Sequence, residues 1–504
     1  MALVNSIASW VLKKRLHQID LFRKYPHEVQ EEWLNRLVGA GKETEYGKKH
    51  GFESIKNADD FRKSVPLNDY ESLKEYILRV KHGEQNILWN TDIKWFAKSS
   101  GTTSDKSKFI PVSKESLEEC HYKGGKDLLS IYFNAHEDSK LFDGKGLVIG
   151  GSSEVNQFSK NSYYGDLSSI IIKNLPVWAE YVRTPSIDIT LMPNWEEKLE
   201  KIAQAGIKED VTSIAGVPSW NLTVINRIME ITGAKNMLEV WPNFELYGHG
   251  GVNFTPYRER FQELFPSHNI CYQETYNASE GFFGLQDRFD GSNDLLLMLD
   301  YGIFYEFLPP NQLNAKSPKT LLLNEVELDT DYAIVITTNA GLWRYMLGDT
   351  VRFTTLQPYR IKISGRTKYF INAFGEELVA ENAETALRLA CEKTGASISE
   401  YTAGPYFDKS GGGHEWIIEF EKQPEDLNFF TDVLDNGLKS VNSDYEAKRF
   451  NNYNMKAPIL HSVEKGSFYN WLKSKGKLGG QNKVPRLAND RKILDDVKQV
   501  LNIQ

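Results

Sequence analysis

Short apolar runs alternate with longer segments of helical spacing along most of this chain, and that alternation limits its possible folds more than any other feature. Apolar residues recur every three to four positions over 27–42, 115–133, 195–206 and 219–233, the spacing that gathers them on one face of a helix. Between these segments, 146–149, 295–299 and 333–338 are short and apolar, as buried strands are. Strands that alternate with helices pack as sheets covered by helices, so the sequence predicts an α/β fold. No fixed-period repeat or low-complexity tract is present, which removes solenoids and propellers.

Length then divides the chain. Its 504 residues exceed the roughly 250–300 at which a single core stops growing, so at least two lobes are expected. The style of the sequence changes over 363–375, where a strand rich in β-branched and aromatic residues runs into a glycine-containing segment and then a long helix, 379–393. The boundary is placed there: a large lobe of α/β type over 1–365, with β-sheets covered by helices, and a smaller mobile α+β lobe over 366–504. In the second lobe the pattern reads helix, strands over 401–406 and 416–420, helix over 425–438, then strand and helix. The piece 408–414, DKSGGGH, reads as a flexible turn between two strands.

Composition removes several functions. The chain is 40% hydrophobic and 25% charged, with 26 Phe, 24 Tyr and 11 Trp to fill large cores, so disorder is not an option. Its net charge of -8 comes without a basic stripe, which argues against nucleic acid as a partner. Cys120, Cys271 and Cys391 are far apart and form no CxxC pair, so neither a disulfide framework nor a thiolate zinc site is indicated. The apolar N-terminal pattern is interrupted by Lys13, Lys14 and Arg15 before a signal peptide or membrane span could form. A cytoplasmic protein with a packed N-terminal helix, not inserted in a membrane, is expected.

Three segments carry chemistry. The first, Lys98-Ser99-Ser100-Gly101-Thr102-Thr103-Ser104-Asp105-Lys106-Ser107-Lys108, follows the aromatic strand Lys94-Trp95-Phe96. Hydroxyls packed around a glycine, with lysines beside them, supply donors and positive charge to phosphate oxygens; such clusters also occur as plain solvated loops. It is not a Walker loop, and Gly125-Lys126 is followed by Asp127 rather than Ser or Thr. The second is Thr275-Tyr276-Asn277-Ala278-Ser279-Glu280-Gly281, in which Glu280 could hold Mg²⁺, a hard cation content with one or two carboxylates, or could belong to a solvated turn. In the third, Gly341-Leu342-Trp343-Arg344-Tyr345-Met346-Leu347-Gly348-Asp349, Asp349 could accept both hydroxyls of a ribose; alone, Arg344 and Asp349 read as a structural ion pair.

Taken together and in this order, SSGTTSDKSK, YNASEG and GLWRYMLGD resemble the phosphate loop, the Tyr-x-x-Ser/Thr-Glu motif and the Tyr-Arg-x-Gly-Asp motif of the adenylate-forming superfamily. Within it the chain most resembles the Gretchen Hagen family of acyl acid amido synthetases, also called the auxin-responsive promoter family. WPNFELYGHGG, Tyr305 to Pro309 and Gln481-Asn482-Lys483-Val484-Pro485-Arg486 extend the likeness nearly end to end.

The resemblance implies an ATP-dependent ligase that adenylates a small carboxylic acid and passes the acyl group to an amine, such as an amino acid, with the small lobe reorienting between the half-reactions. It implies that Ser99, Ser100, Gly101, Thr102 and Thr103 grip phosphates, that Tyr276 and Ser279 line the nucleotide site, that Glu280 binds Mg²⁺ and that Asp349 holds the ribose. Lys483 is the candidate cation for adenylation, and Arg366 at the hinge is a candidate phosphate contact or a structural ion pair. His249 is a candidate base for the amine, or simply a hydrogen-bonded residue of a glycine-rich loop. Two departures stand out: Ser104 or Asp105 replaces a second loop glycine, and Glu376 stands near where some relatives carry lysine. Segments 150–153, 217–222 and 247–251 are candidate walls of the acid pocket. Coenzyme A or another thiol as acceptor, and a non-catalytic nucleotide-binding relative, remain alternatives. The acid, the acceptor and the oligomeric state are not specified.

Overall fold

The computed structural model describes residues 12, 14–99, 108–150, 156–159, 161–251, 254–313, 315–366, 370–371, 373, 376, 378–408, 411–442, 445–446, 449, 455–476, 483–488 and 490–503. The helical segments read from periodicity form where expected. They are α1 (Pro26–Gly41), α2 (Tyr122–Ala135, preceded by a wider π-helical turn, Ser116–His121), α3 (Trp195–Lys208) and α4 (Pro218–Thr232). Their ends follow local chemistry. Pro26 and Pro218 open α1 and α4, where a missing N–H costs nothing, and the Asn194 side chain accepts from the Glu197 N–H to cap α3.

The strands of the large lobe are β1 (Trp95–Ser99), β2 (Lys108–Val112), β3 (Lys145–Val148), β4 (Asn156–Ser159), β5 (Ser162–Gly165), β6 (Arg183–Thr184), β7 (Val211–Gly216), β8 (Leu246–Gly250), β9 (Cys271–Ala278), β10 (Gly281–Leu285), β11 (Leu295–Leu297), β12 (Ile303–Leu308), β13 (Asp331–Thr338), β14 (Tyr345–Leu356) and β15 (Tyr359–Arg366). A four-stranded sheet has the order β2-β1-β5-β4, and an eleven-stranded sheet has the order β12-β13-β14-β15-β11-β10-β9-β8-β7-β3-β6.

The long sheet has two characters. From β6 to β9 neighbouring strands are parallel, and from β9 to β12 they are antiparallel. Parallel neighbours need crossovers; α3 leads into β7, α4 links β7 to β8, and α5 (Thr255–Leu264) links β8 to β9. Ile202, Ile214, Ile228, Trp241, Tyr247 and Phe261 fill the core beneath these helices. Because these five strands point the same way, their carboxyl ends share one edge: Val148 is level with Ala215, Gly216 with His249, and Gly250 with Thr275. Open sheets of this kind bind ligands outside that edge.

The smaller C-terminal domain has its own cores. Ile371, Leu378, Leu387, Trp416, Phe430 and Leu434 are buried in one, and Ile417, Phe468, Trp471 and Leu494 in another. The elements here are β16 (Phe370–Ile371), β17 (Leu378–Val379), α6 (Ala380–Thr394), β18 (Ser397–Asp408), β19 (Gly411–Lys422), α7 (Leu427–Val441), β20 (Ile459–Val463), α8 (Ser467–Ser474) and α9 (Lys492–Leu501). The chain reverses within 408–414, as expected, since Asp408 and Gly411 face each other across β18 and β19, but the glycines themselves are strand residues. Gly411, Gly412 and Gly413 belong to β19 and pair with Asp408, Phe407 and Tyr406. A side chain on Gly413 would place its Cβ 2.9 Å from both the Lys456 carbonyl oxygen and the Tyr406 ring; close approach, rather than a turn, accounts for glycine there.

Candidate functional site

The parallel strand ends carry the groups singled out in the second motif. Tyr276 lies near the end of β9 and is buried, with its hydroxyl donating to Asp349 Oδ2 at 2.7 Å. Asp349 is inside β14, opposite Arg366 of β15. One hydrogen bond therefore joins strands that are far apart in the sheet order and 73 residues apart in sequence. The Arg344–Asp349 ion pair considered from sequence is not the one formed. Arg344 binds Glu306 of β12 through Nε and Nη2, and its Nη1 donates to the carbonyls of Arg62 and Val65. This leaves Asp349 at the edge with Tyr276, while Arg344 ties the N-terminal segment to the sheet.

Ser279 and Glu280 form the turn between β9 and β10. Ser279 is buried, and its hydroxyl has no hydrogen-bond partner among the described residues. Glu280 is half-buried and faces Tyr345, whose phenol is pushed well up by burial first and by the Glu280 charge second. Among the described residues no group of three or more His, Cys, Asp or Glu could cage a metal. A lone carboxylate at such a turn nevertheless fits Mg²⁺, which keeps most of its waters and shares substrate phosphates.

Ser99 ends β1 opposite Lys108 of β2. Ser100, Gly101, Thr102 and Thr103 lie outside the described residues, as do Ser104 and Asp105. For Arg366 the backbone position beside Asp349 is described and the side chain is not. Of the candidate acid-pocket segments, Gly150, Val217 and 247–251 lie at the shared strand edge, whereas 151–153 fall outside the described residues.

His249 is in β8, 1% exposed, with its ring stacked on Phe254 at 3.9 Å between centroids. Neither ring nitrogen has a hydrogen-bond partner among the described residues. Burial and then the Arg258 charge hold its pKa down at about 3. The imidazole is thus neutral across ordinary pH, which suits hydrogen bonding to a ligand better than taking up a proton.

Lys483 reaches this edge from the C-terminal domain. Its ammonium donates to the Gly251 carbonyl, directly after β8, and a Cβ added to Gly251 would lie 3.2 Å from Nζ. Gly250 pairs with Thr275, the residue before Tyr276, so the lysine and the Tyr276–Asp349 pair lie along one edge. Glu376, shortly before β17, turns inward. It is fully buried and hydrogen-bonded to His414 Nε2 at 2.7 Å, so it serves the core of the smaller domain.

Two charged residues at the edge were not singled out from sequence. Glu274 of β9 is level with His249, and burial raises its carboxyl to about 7 against the weaker pull of Arg258 and Lys362. Lys198 of α3 is buried and donates to the Gly150 carbonyl at 2.9 Å; burial lowers it to about 8. In the sequence each looks like an ordinary charged position in a strand or an amphipathic helix, and only strand register and helix packing put them here.

Models of the GH3 family N-terminal, central and C-terminal domains match residues 15–270, 296–366 and 381–492. The chain belongs to the GH3 family. Relatives of this GH3 chain include an indole-3-acetic acid-amido synthetase of Arabidopsis thaliana, 22% identical, covering 96% of this chain and 93% of the relative. A jasmonoyl–L-amino acid synthetase of Nicotiana attenuata is 24% identical, covering 97% and 95%. Among solved structures, the GH3.15 acyl acid amido synthetase superposes with a TM-score of 0.81 at 16% identity, covering 97% of this chain and 96% of that one. A 2-hydroxyisobutyryl-CoA ligase with its acyl-AMP gives 0.58 at 13% identity, covering 94% and 92%. The fold is that of the adenylate-forming ligases, and the relatives named are an amido synthetase and a jasmonoyl–L-amino acid synthetase. Among the described residues, no helix is long and apolar enough to cross a membrane.

Proposed function

We propose that this GH3 chain is an ATP-dependent acyl acid amido synthetase that works in the cytoplasm. In the first half-reaction a carboxylate oxygen of a small acid attacks the α-phosphorus of ATP, a P–O bond forms and pyrophosphate leaves. In the second, an amine, best matched by an amino acid, attacks the acyl carbonyl; a C–N bond forms, AMP leaves and the amine gives up a proton. The observation that carries this reading is the meeting of Lys483 from one lobe with the strand edge that holds Tyr276 and Asp349 in the other.

Each residue's role follows from its chemistry. Asp349, an acceptor fixed by the Tyr276 hydroxyl, takes the ribose hydroxyls, and the ring of Tyr276 and the buried Ser279 hydroxyl line the nucleotide site. Ser99, Ser100, Gly101, Thr102 and Thr103 grip the phosphates. Glu280 holds Mg²⁺, which supplies charge neutralisation to the phosphates. Lys483 brings a positive charge to the anionic reacting centre, where preorganised charge is worth most. His249, neutral and with no hydrogen-bond partner for its ring nitrogens among the described residues, offers a hydrogen bond to the acid. Arg366 begins the mobile lobe, taken as 366–504, and supplies a second cation.

The test is pyrophosphate release screened over carboxylic acids with ATP and Mg²⁺, followed by amino acids or coenzyme A as acceptors. Acid-dependent release with AMP formed faster on adding an amino acid supports the reading. Acceleration by coenzyme A alone identifies a thioester-forming ligase, and binding of ATP without release with any acid overturns the assignment. Lys483→Ala is expected to lower ATP–pyrophosphate exchange while leaving nucleotide binding nearly unchanged; equal loss in both would remove its assigned role.

A further inference from the structure

Lys483 lies just before a segment that is fastened to β18. Pro485 O accepts from the Thr402 hydroxyl at 2.6 Å, Arg486 O accepts from the Ala403 N–H at 2.9 Å, and the Ala488 N–H donates to Ala403 O at 3.0 Å. Residues 485–488 are thereby fastened along β18. Arg486 is fixed in turn: it pairs with Glu400 at 3.1 Å and Glu384 at 3.5 Å, and its guanidinium lies 4.6 Å from the centre of the Tyr401 ring. Where this arginine goes, the backbone that carries Lys483 goes too.

The other end of the arrangement is in the large lobe. Tyr257 is on α5, the helix that follows the Gly250-Gly251 edge, and its ring is buried in the core beneath that helix. Its hydroxyl crosses to the small lobe, accepting from Arg486 Nη2 at 3.3 Å and donating to Ser399 O at 3.3 Å. Two contacts therefore pair the same two segments, Lys483 with Gly251 and Arg486 with Tyr257. Apart from its hydroxyl, Tyr257 needs nothing that phenylalanine would not provide.

We propose that Tyr257 is a positioning residue for adenylation, a latch whose hydroxyl holds the small lobe, through Arg486 and Ser399, in the orientation that sets Lys483 on the Gly251 edge. This rests on the role of Lys483 argued above. The latch has to open when the small lobe reorients, so its loss weakens the first half-reaction and spares the second.

The lobe contact can be read without substrate. Glu196 and Lys473 form an exposed ion pair across the lobes; in full-length Glu196→Cys/Lys473→Cys protein, a short bis-maleimide reports how often the lobes are docked, with each single variant as control. Adding Tyr257→Phe is expected to slow cross-linking about fivefold, the worth of one or two hydrogen bonds. Arg486→Lys, which keeps a charge beside Glu384 and Glu400 but loses the fork, should do the same, and the double variant should be no slower than either. Unchanged cross-linking, or additive effects in the double variant, would overturn the latch. With any acid that supports exchange in the wild type, Tyr257→Phe should lower ATP–pyrophosphate exchange about fivefold and leave aminolysis of preformed acyl-AMP unchanged; equal loss in both also overturns it. Absence of wild-type exchange with every acid would count against the functional reading alone, since the cross-link still decides the latch.

Discussion

The phenol of Tyr276 donates to Oδ2 of Asp349 at 2.7 Å, joining the last parallel strand of the sheet to a strand of its antiparallel half. The acceptor is thereby aimed by a residue from another motif, and a bond from a phenol to a carboxylate contributes about 1.5–3 kcal/mol. Tyr276→Phe is expected to raise KM for ATP about tenfold or more while KM for the acid moves little. Steady-state kinetics with each substrate varied separately check this; equal shifts in the two constants would mean that Asp349 does not face the nucleotide.

Glu274 gives stability a definite pH dependence. Burial raises its folded pKa from an ordinary 4.5 to about 7, so between those values the folded chain holds a proton that the unfolded chain has lost. Its contribution is then fully present below about pH 4.5 and is lost as pH rises through 7, on the order of 3 kcal/mol in all. Glu274→Gln stays neutral throughout. Its stability should fall less than that of the wild type between pH 5 and 8, as measured by urea unfolding across pH; parallel profiles would contradict the assigned cause.

The Arg344–Glu306 pair is buried on both sides, with side chains 5% and 1% exposed. Removing one partner strands a charge away from water, which costs about 3–5 kcal/mol. Glu306→Ala should lower stability by about that amount, whereas Asp349→Ala, which lies outside the pair, should affect nucleotide binding more than unfolding. Urea titration of both variants separates the two outcomes.

Gly250 sets the spacing of β8 and β9 where the edge opens. An added Cβ would lie 2.5 Å from the Thr275 carbonyl oxygen and 2.6 Å from its hydroxyl, contacts that force the strands apart. Gly250→Ala is expected to cost about 1–3 kcal/mol and to impair ATP–pyrophosphate exchange as well, because Tyr276 follows Thr275. Thermal unfolding and exchange measured on the same preparation test whether the two losses go together.

Much of the fold was legible in order along the chain. Segments 27–42, 195–206 and 219–233 became α1, α3 and α4 because each has a full apolar stripe and a clear end, Pro26 and Pro218 at two starts and Asn194 at the third. Reading 408–414 as a turn placed the reversal between β18 and β19 correctly but made it too long, because glycine spacing looks the same whether the residue bends the chain or lets another backbone pass close to it. Here Lys456 and Tyr406, one distant and one across the strand pair, decide which.

The sequence by itself determined the family, the alternation of helices and strands, and the chemical types of the motif residues, since these depend on side chains and spacings that a linear string records. Partner choice needed the tertiary structure. Arg344 could be seen in the chain, but its pairing with Glu306 rather than Asp349 depends on how β12, β13 and β14 lie side by side. The raised carboxyl of Glu274, the neutral imidazole of His249 and the meeting of Tyr257 with Arg486 arise in the same way. Burial and contact belong to the folded surface, and segments more than two hundred residues apart share that surface only after the lobes have packed.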